Sequence, residues 1–319
     1  MSNDNQRLTV ALAQIAPIWL DRKATLNKVT TYVKEAATKN CQLVVFGEAL
    51  VPGYPFWLDL TNGAKFNCDK QKAIHAEYSK QAIQIERGDL NDLCDLAKQN
   101  SISVYLGIIE RPEDRTGHSL YCSFVYIDQG GFIQSVHRKL MPTYEERLSW
   151  SPGDGHGLRT HKLESFTVGG LNCWENWMPL ARASLYAQGE DLHVACWPGN
   201  LKNTHDLTPV IAKEGRSYVL SVCGLMRPSD AQNCIPELDE VLNDTSSFLA
   251  DGGSCIAAPD GSWVIEPQVG EEGLYIAELD HCKVREERQN FDPAGHYSRP
   301  DVTQLSVDRR RQSTVVFRD

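Results

Sequence analysis

Apolar and polar positions follow two different periods along this chain, one typical of buried strands and the other of helices. Residues 8–16 (LTVALAQIA) form a continuous apolar run, which predicts a buried strand. Val29, Val33 and Ala36 then fall on one helical face, which predicts a helix that ends near residue 40. The same patterns predict further strands at about 42–46, 102–110, 119–128, 132–139, 168–173, 191–197, 218–226, 253–258, 262–266 and 273–279, and further helices at about 69–86, 89–99, 177–188 and 205–217.

Hairpin turns interrupt this alternation of strands and helices in both halves of the chain. Asp128-Gln-Gly-Gly131 separates two predicted strands, and Asp260-Gly261 separates another two. Hairpins join antiparallel strands, so the expected fold is α/β with mixed sheets covered by helices rather than a purely parallel sheet. A polar stretch at about 228–250 is predicted to be a surface excursion, and the last thirty residues are expected to be irregular.

Composition and charge narrow the range of partners. The net charge of −10 disfavours nucleic acid and anionic membrane surfaces as main partners. No apolar run reaches the roughly 18 residues that a membrane span needs. The ten cysteines include no C-x-x-C pair and no zinc-finger spacing, and the start of the chain has no secretory signal pattern. The expectation is a reduced, cytoplasmic protein.

Three reactive side chains stand at the ends of predicted strands. Glu48 ends the run CQLVVFGE, Lys139 ends FIQSVHRK, and Cys173 ends VGGLNC. In α/β folds, functional groups gather beyond the carboxyl ends of strands. A carboxylate can take the proton of a thiol, and an ammonium can stabilise negative charge that develops on a substrate. The pattern alone leaves open a solvated turn glutamate, an exposed basic edge and a core cysteine.

Four longer segments of the sequence match one family in its own order. The segments 45–57 (VFGEALVPGYPFW), 137–148 (HRKLMPTYEERL), 170–179 (GLNCWENWMP) and 291–301 (FDPAGHYSRPD) resemble motifs of the nitrilase branch of the carbon-nitrogen hydrolase superfamily. The resemblance runs from about residue 8 to residue 305. It implies a four-layer αββα sandwich, formed by residues 1–290, with a C-terminal extension of residues 291–319 that takes part in subunit contacts.

The resemblance also assigns roles to individual residues. Cys173 would be the nucleophile, Glu48 the general base and Lys139 the group that stabilises negative charge. A second catalytic glutamate is expected at Glu146, with its neighbour in the sequence, Glu145, as the less favoured choice. The family needs neither a metal nor an organic cofactor, so none is expected here.

Aromatic residues within the same motifs are candidates for the substrate pocket. Tyr54, Trp57, Trp174 and Trp177 are the predicted substrate-binding residues, with core packing as the alternative for each. The backbone N–H of Trp174, next to the nucleophile, is a candidate donor to the developing negative charge. Two histidines in the motifs, His137 and His296, are predicted to have hydrogen-bonded structural roles.

The function that the resemblance implies is hydrolysis of a nitrile to a carboxylic acid and ammonia through a covalent thioimidate and acyl-cysteine. The Cys-Trp-Glu sequence favours nitriles. Two rivals with the same triad remain: an amidase or carbamoylase, and a cyanide or nitrile hydratase that releases the amide. A non-catalytic binding or scaffold protein is the remaining alternative. The expected partners are a small nitrile and further copies of the chain, as a homodimer or a larger oligomer such as a spiral.

Overall fold

The fold is given by a computed structural model that describes residues 6–231, 242, 248–315 and 318. Most of the polar stretch predicted as a surface excursion at about 228–250 lies outside these residues. Two of its described positions, Ala231 and Leu242, are buried. No helix among the described residues is long and apolar enough to cross a membrane.

The first sheet contains strands from both ends of the chain. Its strands, in spatial order, are β13 (Gly273–Asp280), β1 (Arg7–Gln14), β2 (Leu43–Phe46), β3 (Ser103–Glu110), β4 (Tyr121–Ile127) and β5 (Ile133–Arg138). β1, β2 and β3 are parallel, whereas β13, β4 and β5 each run antiparallel to a neighbour. Because β4 reverses the direction and β5 reverses it again, β2 and β5 end at the same edge of the sheet.

The second sheet has the same mixed character. Its strands are β10 (Leu225–Met226), β11 (Ala250–Ala257), β9 (Tyr218–Cys223), β8 (Leu192–Trp197), β7 (Phe166–Asn172) and β6 (His161–Leu163), with β12 (Trp263–Val269) paired to β11. β7, β8 and β9 are parallel, and the other pairs are antiparallel. The prediction of mixed sheets is confirmed for both sheets.

Eight helices are described around the sheets. They are α1 (Arg22–Thr38), α2 (Trp57–Leu60), α3 (Asp69–Gln81), α4 (Asn91–Asn100), α5 (Pro179–Tyr186), α6 (Leu201–Thr204), α7 (Leu207–Gly215) and α8 (His281–Arg288). α1 begins after Asp21, whose carboxylate accepts from the N–H of Ala24 over 2.9 Å, and its buried residues include Val29, Val33 and Ala36 as predicted.

The sheets and helices form four layers. Apolar residues of α1 and α4 pack on the outer face of the first sheet. Those of α5 and α7 pack on the outer face of the second sheet. Between the sheets lies a further core, in which Val45, Tyr105 and Phe124 of the first sheet meet Phe166 and Val194 of the second. This is the αββα sandwich expected from the sequence.

Candidate active site

Glu48 is held in a turn between the two sheets. It lies two positions beyond β2, and its side chain is fully buried. Its backbone N–H donates to the carbonyl of Trp197, at the end of β8, over 3.1 Å. On the other side β3 comes so close that a Cβ on Gly107 would lie 2.2 Å from the carbonyl oxygen of Gly47. The absence of a side chain at position 107 therefore lets the turn pack against β3.

Lys139 follows β5 and bridges two carboxylates. Its backbone N–H donates to the carbonyl of Cys122 over 2.8 Å, and its carbonyl accepts from Gly153 over 2.7 Å, so the backbone is fixed on both sides. The Nζ atom donates to Oε2 of Glu146 over 2.7 Å and lies 2.8 Å from Oε1 of Glu48. The lysine is 1% exposed, so this ion pairing is shielded from solvent.

The second glutamate near the lysine is Glu146. It lies in a short helical turn, Tyr144–Leu148, where its carboxylate also accepts from the N–H of Thr143 over 2.6 Å. The hydroxyl of Tyr54 donates to its Oε1 atom over 2.7 Å. Glu145 is partly exposed and lines a surface groove instead. Of the two glutamates, Glu146 is therefore the one whose carboxylate contacts Lys139.

Cys173 lies at a sharp change of backbone direction after β7. Its φ angle is +48°, a region that residues other than glycine seldom occupy, and such strain often marks a functional position. The Nδ2 atom of Asn176 donates to the Cys173 carbonyl over 2.8 Å. Asn176 is held in turn by the Nε2 atom of His193 at 2.8 Å, and His193 by Glu190 at 2.9 Å. A buried chain of polar side chains thus fixes the backbone of Cys173.

The side chains of Glu48, Lys139 and Cys173 meet in one place, because Lys139 contacts Glu48 and Cys173 lies close to the same carboxylate. A carboxylate oxygen of Glu48, one of Glu146 and the Sγ atom of Cys173 lie within 4.8 Å of one another. The Oε2 atom of Glu48 is buried and has no hydrogen-bond partner among the described residues. Beside it lies a cavity of ≈ 10 Å³, lined in part by Tyr54 and Phe56. This is room for about one water molecule.

Burial and the central ammonium set the protonation states. Burial raises the pKa of Glu48 to about 7, and the attraction of Lys139 only partly opposes it. Burial also raises the pKa of the Cys173 thiol well above its usual value, against Lys139 and a hydrogen bond from the backbone N–H of Trp174. For Lys139, burial lowers the pKa, but Cys173 in its ionised form and the carboxylates of Glu48 and Glu146 raise it well above normal. The site therefore combines a neutral thiol, a carboxylate that titrates near neutrality and a permanent cation.

The carboxylate and thiol groups of this site fit the ammonium group of a lysine better than a metal ion. Glu48, Glu146 and Cys173 are ligand types that metals accept, and they are close enough to share one. The ammonium of Lys139 already contacts both carboxylates, however, at 2.8 and 2.7 Å. A cation placed between them would be repelled by that charge.

Of the four predicted substrate-binding aromatics, Tyr54 lies at the charged cluster. Trp57 is fully buried and packs edge-on against Tyr78, with ring centroids 4.5 Å apart, so its position corresponds to the core-packing alternative. Trp174 and Trp177 are 54% and 55% exposed. Their side chains lie at the surface, and Trp174 contacts Cys173 through its backbone N–H.

Sequence reasoning missed two buried residues at this site. The thiol of Cys122 lies 3.5 Å from Oε1 of Glu48, and nothing in its sequence context distinguishes it from the other cysteines. Glu175 accepts the backbone N–H of Asn172 over 2.9 Å and that of Leu140 over 2.6 Å. The spacing Asn-x-x-Glu is a capping box, and it could have indicated the first of these bonds.

The two histidines singled out from the sequence differ in their surroundings. The Nε2 atom of His137 lies 3.0 and 3.1 Å from the carboxylate oxygens of Glu175, so the predicted hydrogen bonding of this side chain is confirmed. His296 is exposed, and its ring lies 5.5 Å from that of Tyr297. No hydrogen bond of its side chain is described.

Comparison with known proteins gives consistent results along nearly the whole chain. The sequence model of the family described as carbon-nitrogen hydrolase matches residues 9–289. The chain is 35% identical to a protein called nitrilase 2 from an unknown prokaryotic organism, covering 98% of this chain and 96% of that protein. It is 33% identical to an aliphatic nitrilase of Sinorhizobium fredii (strain HH103), covering 98% and 99%. Among solved structures, the chain is similar to Nit3 of Saccharomyces cerevisiae, which is described as a member of branch 10 of the nitrilase superfamily. The two superpose with a TM-score of 0.68 at 20% identity, and the match covers 92% of this chain and 97% of Nit3.

Proposed function

Because the chain belongs to the carbon-nitrogen hydrolase family, the nitrilase superfamily, we propose that it hydrolyses a nitrile to the carboxylic acid and ammonia with Cys173 as nucleophile. That the protein is a hydrolase of carbon–nitrogen bonds follows from the family itself. Two relatives named as nitrilases, at 35% and 33% identity over nearly full length, support a nitrile as the substrate class. The observation that carries the mechanism is the buried cluster in which one ammonium joins two carboxylates beside a strained cysteine.

The first step needs a base, since the buried thiol is protonated at rest. Glu48 supplies the base: its Oε2 atom has no partner among the described residues, and its pKa of about 7 makes proton transfer possible near neutral pH. Sulfur then bonds to the nitrile carbon, and the proton passes to the nitrile nitrogen. The product is a thioimidate. The ammonium of Lys139 and the backbone N–H of Trp174 would stabilise the negative charge that develops on nitrogen.

Two water molecules complete the reaction. The first adds to the thioimidate carbon and gives a tetrahedral intermediate, from which ammonia leaves to form an acyl-cysteine. The second, activated by Glu48, attacks the acyl carbon and releases the acid and the free thiol. Glu146 contacts both Lys139 and Tyr54, and these contacts support a role for it in holding the ammonium toward the reacting atoms.

The hydratase alternative differs from the nitrilase in which bond of the tetrahedral intermediate breaks. If the carbon–sulfur bond breaks before ammonia leaves, the product is the amide, as in a hydratase. An amidase would enter the same sequence at an amide carbonyl. The product therefore distinguishes these possibilities.

A product assay tests the proposal. Purified protein is incubated with aliphatic, aromatic and arylacetonitrile substrates, and acid, amide and ammonia are separated and quantified, with Cys173→Ala as the blank. Acid with one equivalent of ammonia is the expected result. Amide without ammonia would replace the proposal by nitrile hydration, and ammonia from amides with no nitrile turnover would replace it by an amidase.

A further inference from the structure

We propose that Glu175 is a positioning residue, which holds the backbone beside Cys173 and the backbone beside Lys139 at the separation that catalysis needs. This inference rests on the proposed roles of Cys173 and Lys139. It does not depend on which carbon–nitrogen bond the enzyme attacks.

The two carboxylate oxygens of Glu175 bind different parts of the site. Oε2 accepts the N–H of Asn172, which immediately precedes Cys173, over 2.9 Å. Oε1 accepts the N–H of Leu140, which immediately follows Lys139, over 2.6 Å. Cys173 follows a strand of the second sheet, and Lys139 follows a strand of the first. One rigid planar group therefore links the two sheets at the point where their reactive residues face each other.

The carboxylate is charged and shielded from water. Glu175 is 1% exposed, and although burial raises its pKa, His137 and the two backbone N–H donors bring the net pKa below the usual value. Both of its oxygens face the Nε2 atom of His137 at 3.1 and 3.0 Å, so this nitrogen carries the hydrogen. Hydrogen bonds to a charged acceptor are stronger than those between neutral groups. They hold the N–H groups of Asn172, Leu140 and His137 against the same carboxylate.

A small error in this separation would be costly for the reaction. A displacement of about 1 Å between reacting groups can cost on the order of 100-fold in rate. The bond from Leu140 and the bond from Asn172 each act one residue away from a reacting side chain. Loosening either would move Lys139 relative to Cys173 without removing any group that touches the substrate.

The test is Glu175→Gln. The amide keeps the size and shape of the carboxylate, but its NH₂ group must face either Leu140 N–H or Asn172 N–H, whichever way it is turned. We expect kcat per active site to fall about 100-fold while KM changes less than about threefold. Active sites are counted by the stoichiometry of iodoacetamide incorporation at Cys173, determined by peptide mass spectrometry.

The chain offers a matched control in Asp191→Asn. Asp191 is also a buried carboxylate that accepts a backbone N–H, from Thr167 over 2.7 Å, and binds a histidine Nε2, of His281 at 2.8 Å. It precedes β8, at the opposite end of the second sheet from Cys173. Its loss should lower stability and leave kcat per active site within about twofold of wild type. His137→Gln, which retains a donor toward Glu175, should preserve most of the activity.

Two outcomes would overturn the proposal. One is a Glu175→Gln enzyme with fewer titrated sites but wild-type kcat per site, because Glu175 would then only support folding. The other is an equal fall in kcat per site for Asp191→Asn. The rate of alkylation of Cys173 by iodoacetamide gives the same comparison without a substrate, and we expect Glu175→Gln to slow it at least tenfold. A failure of the nitrile assay would therefore leave this inference separately testable.

Discussion

At the scale of single residues, the proposed mechanism requires Glu48 to be ionised before the thiol can be activated. Its pKa of about 7 means that the carboxylate is protonated, and unable to accept the thiol proton, as the pH falls below neutrality. We therefore expect kcat/KM to decline about tenfold per unit on the acid side of a midpoint near pH 7, which a pH–rate profile measures. A midpoint near the ordinary value for a glutamate, about 4.3, would contradict the assignment.

Substitutions at two residues show whether this midpoint belongs to Glu48. Glu48→Gln should remove the acid limb together with most of the activity, by about 10²- to 10⁴-fold. In Cys122→Ala, Glu48 loses the thiol that lies 3.5 Å from its Oε1 atom. A donor to a carboxylate lowers its pKa, so this variant should move the midpoint to higher pH, whereas Cys122→Ser should keep it near or below that of wild type.

Glu175 and Cys122 were not predicted from the sequence, and the physical reason is the same for both. Glu48, Lys139 and Cys173 could be selected because each stands at the end of a predicted strand and has a reactive side chain. Glu175 and Cys122 act through the direction in which their side chains point, and this depends on partners far away in the sequence. Trp57 shows the converse, since an aromatic residue in a motif can equally well fill the core.

At the scale of elements, local signals predicted most helices and strands within a few residues. α8 was not predicted, because HCKVREER has no apolar face and Val284 is its only buried residue. The helix expected at about 205–217 is α7, whereas the short helix α6, which precedes it and begins after Asn200, was not predicted. The pairing of β13 with β1 could not be predicted either, since an apolar run does not indicate its neighbour in the sheet.

The N-terminal cap of α1 allows a prediction about stability alone. Asp21 is exposed and accepts the N–H of Ala24, whereas the reactive residues are buried. Asp21→Ala should lower the free energy of unfolding by about 1 kcal/mol and leave kcat unchanged, as measured by denaturant titration and steady-state kinetics. Asp21→Asn retains a capping oxygen and should be close to wild type. Equal losses in both variants would show that the cap is not the cause.

At the scale of the whole molecule, apolar side chains are exposed along α5 and the segment that follows α8. Leu180 is 65% exposed, and Tyr297 and Val302 are 60% and 67% exposed. Between α5 and this segment lies a groove of ≈ 880 Å³. Exposed apolar patches often mark protein–protein contacts, so this surface is our candidate for the association expected from the sequence.

Charge placed on this surface should weaken the association. Burying a carboxylate without a partner is costly, so Leu180→Asp should shift the protein to smaller species in light scattering coupled to gel filtration. Val264→Asp, on β12, provides a control at a position that is 40% exposed. An unchanged mass for Leu180→Asp would exclude α5 from the interface.

The central claim is that Cys173 bonds covalently to the carbon of a nitrile. The most direct test is to quench the enzyme with acid during turnover and to map its peptides by mass spectrometry, with Cys173→Ala measured in parallel. The account predicts an acyl or thioimidate mass on the Cys173 peptide, and a folded Cys173→Ala protein without turnover. A mass on another cysteine, or nitrile hydrolysis by Cys173→Ala within tenfold of the wild-type rate, would contradict it.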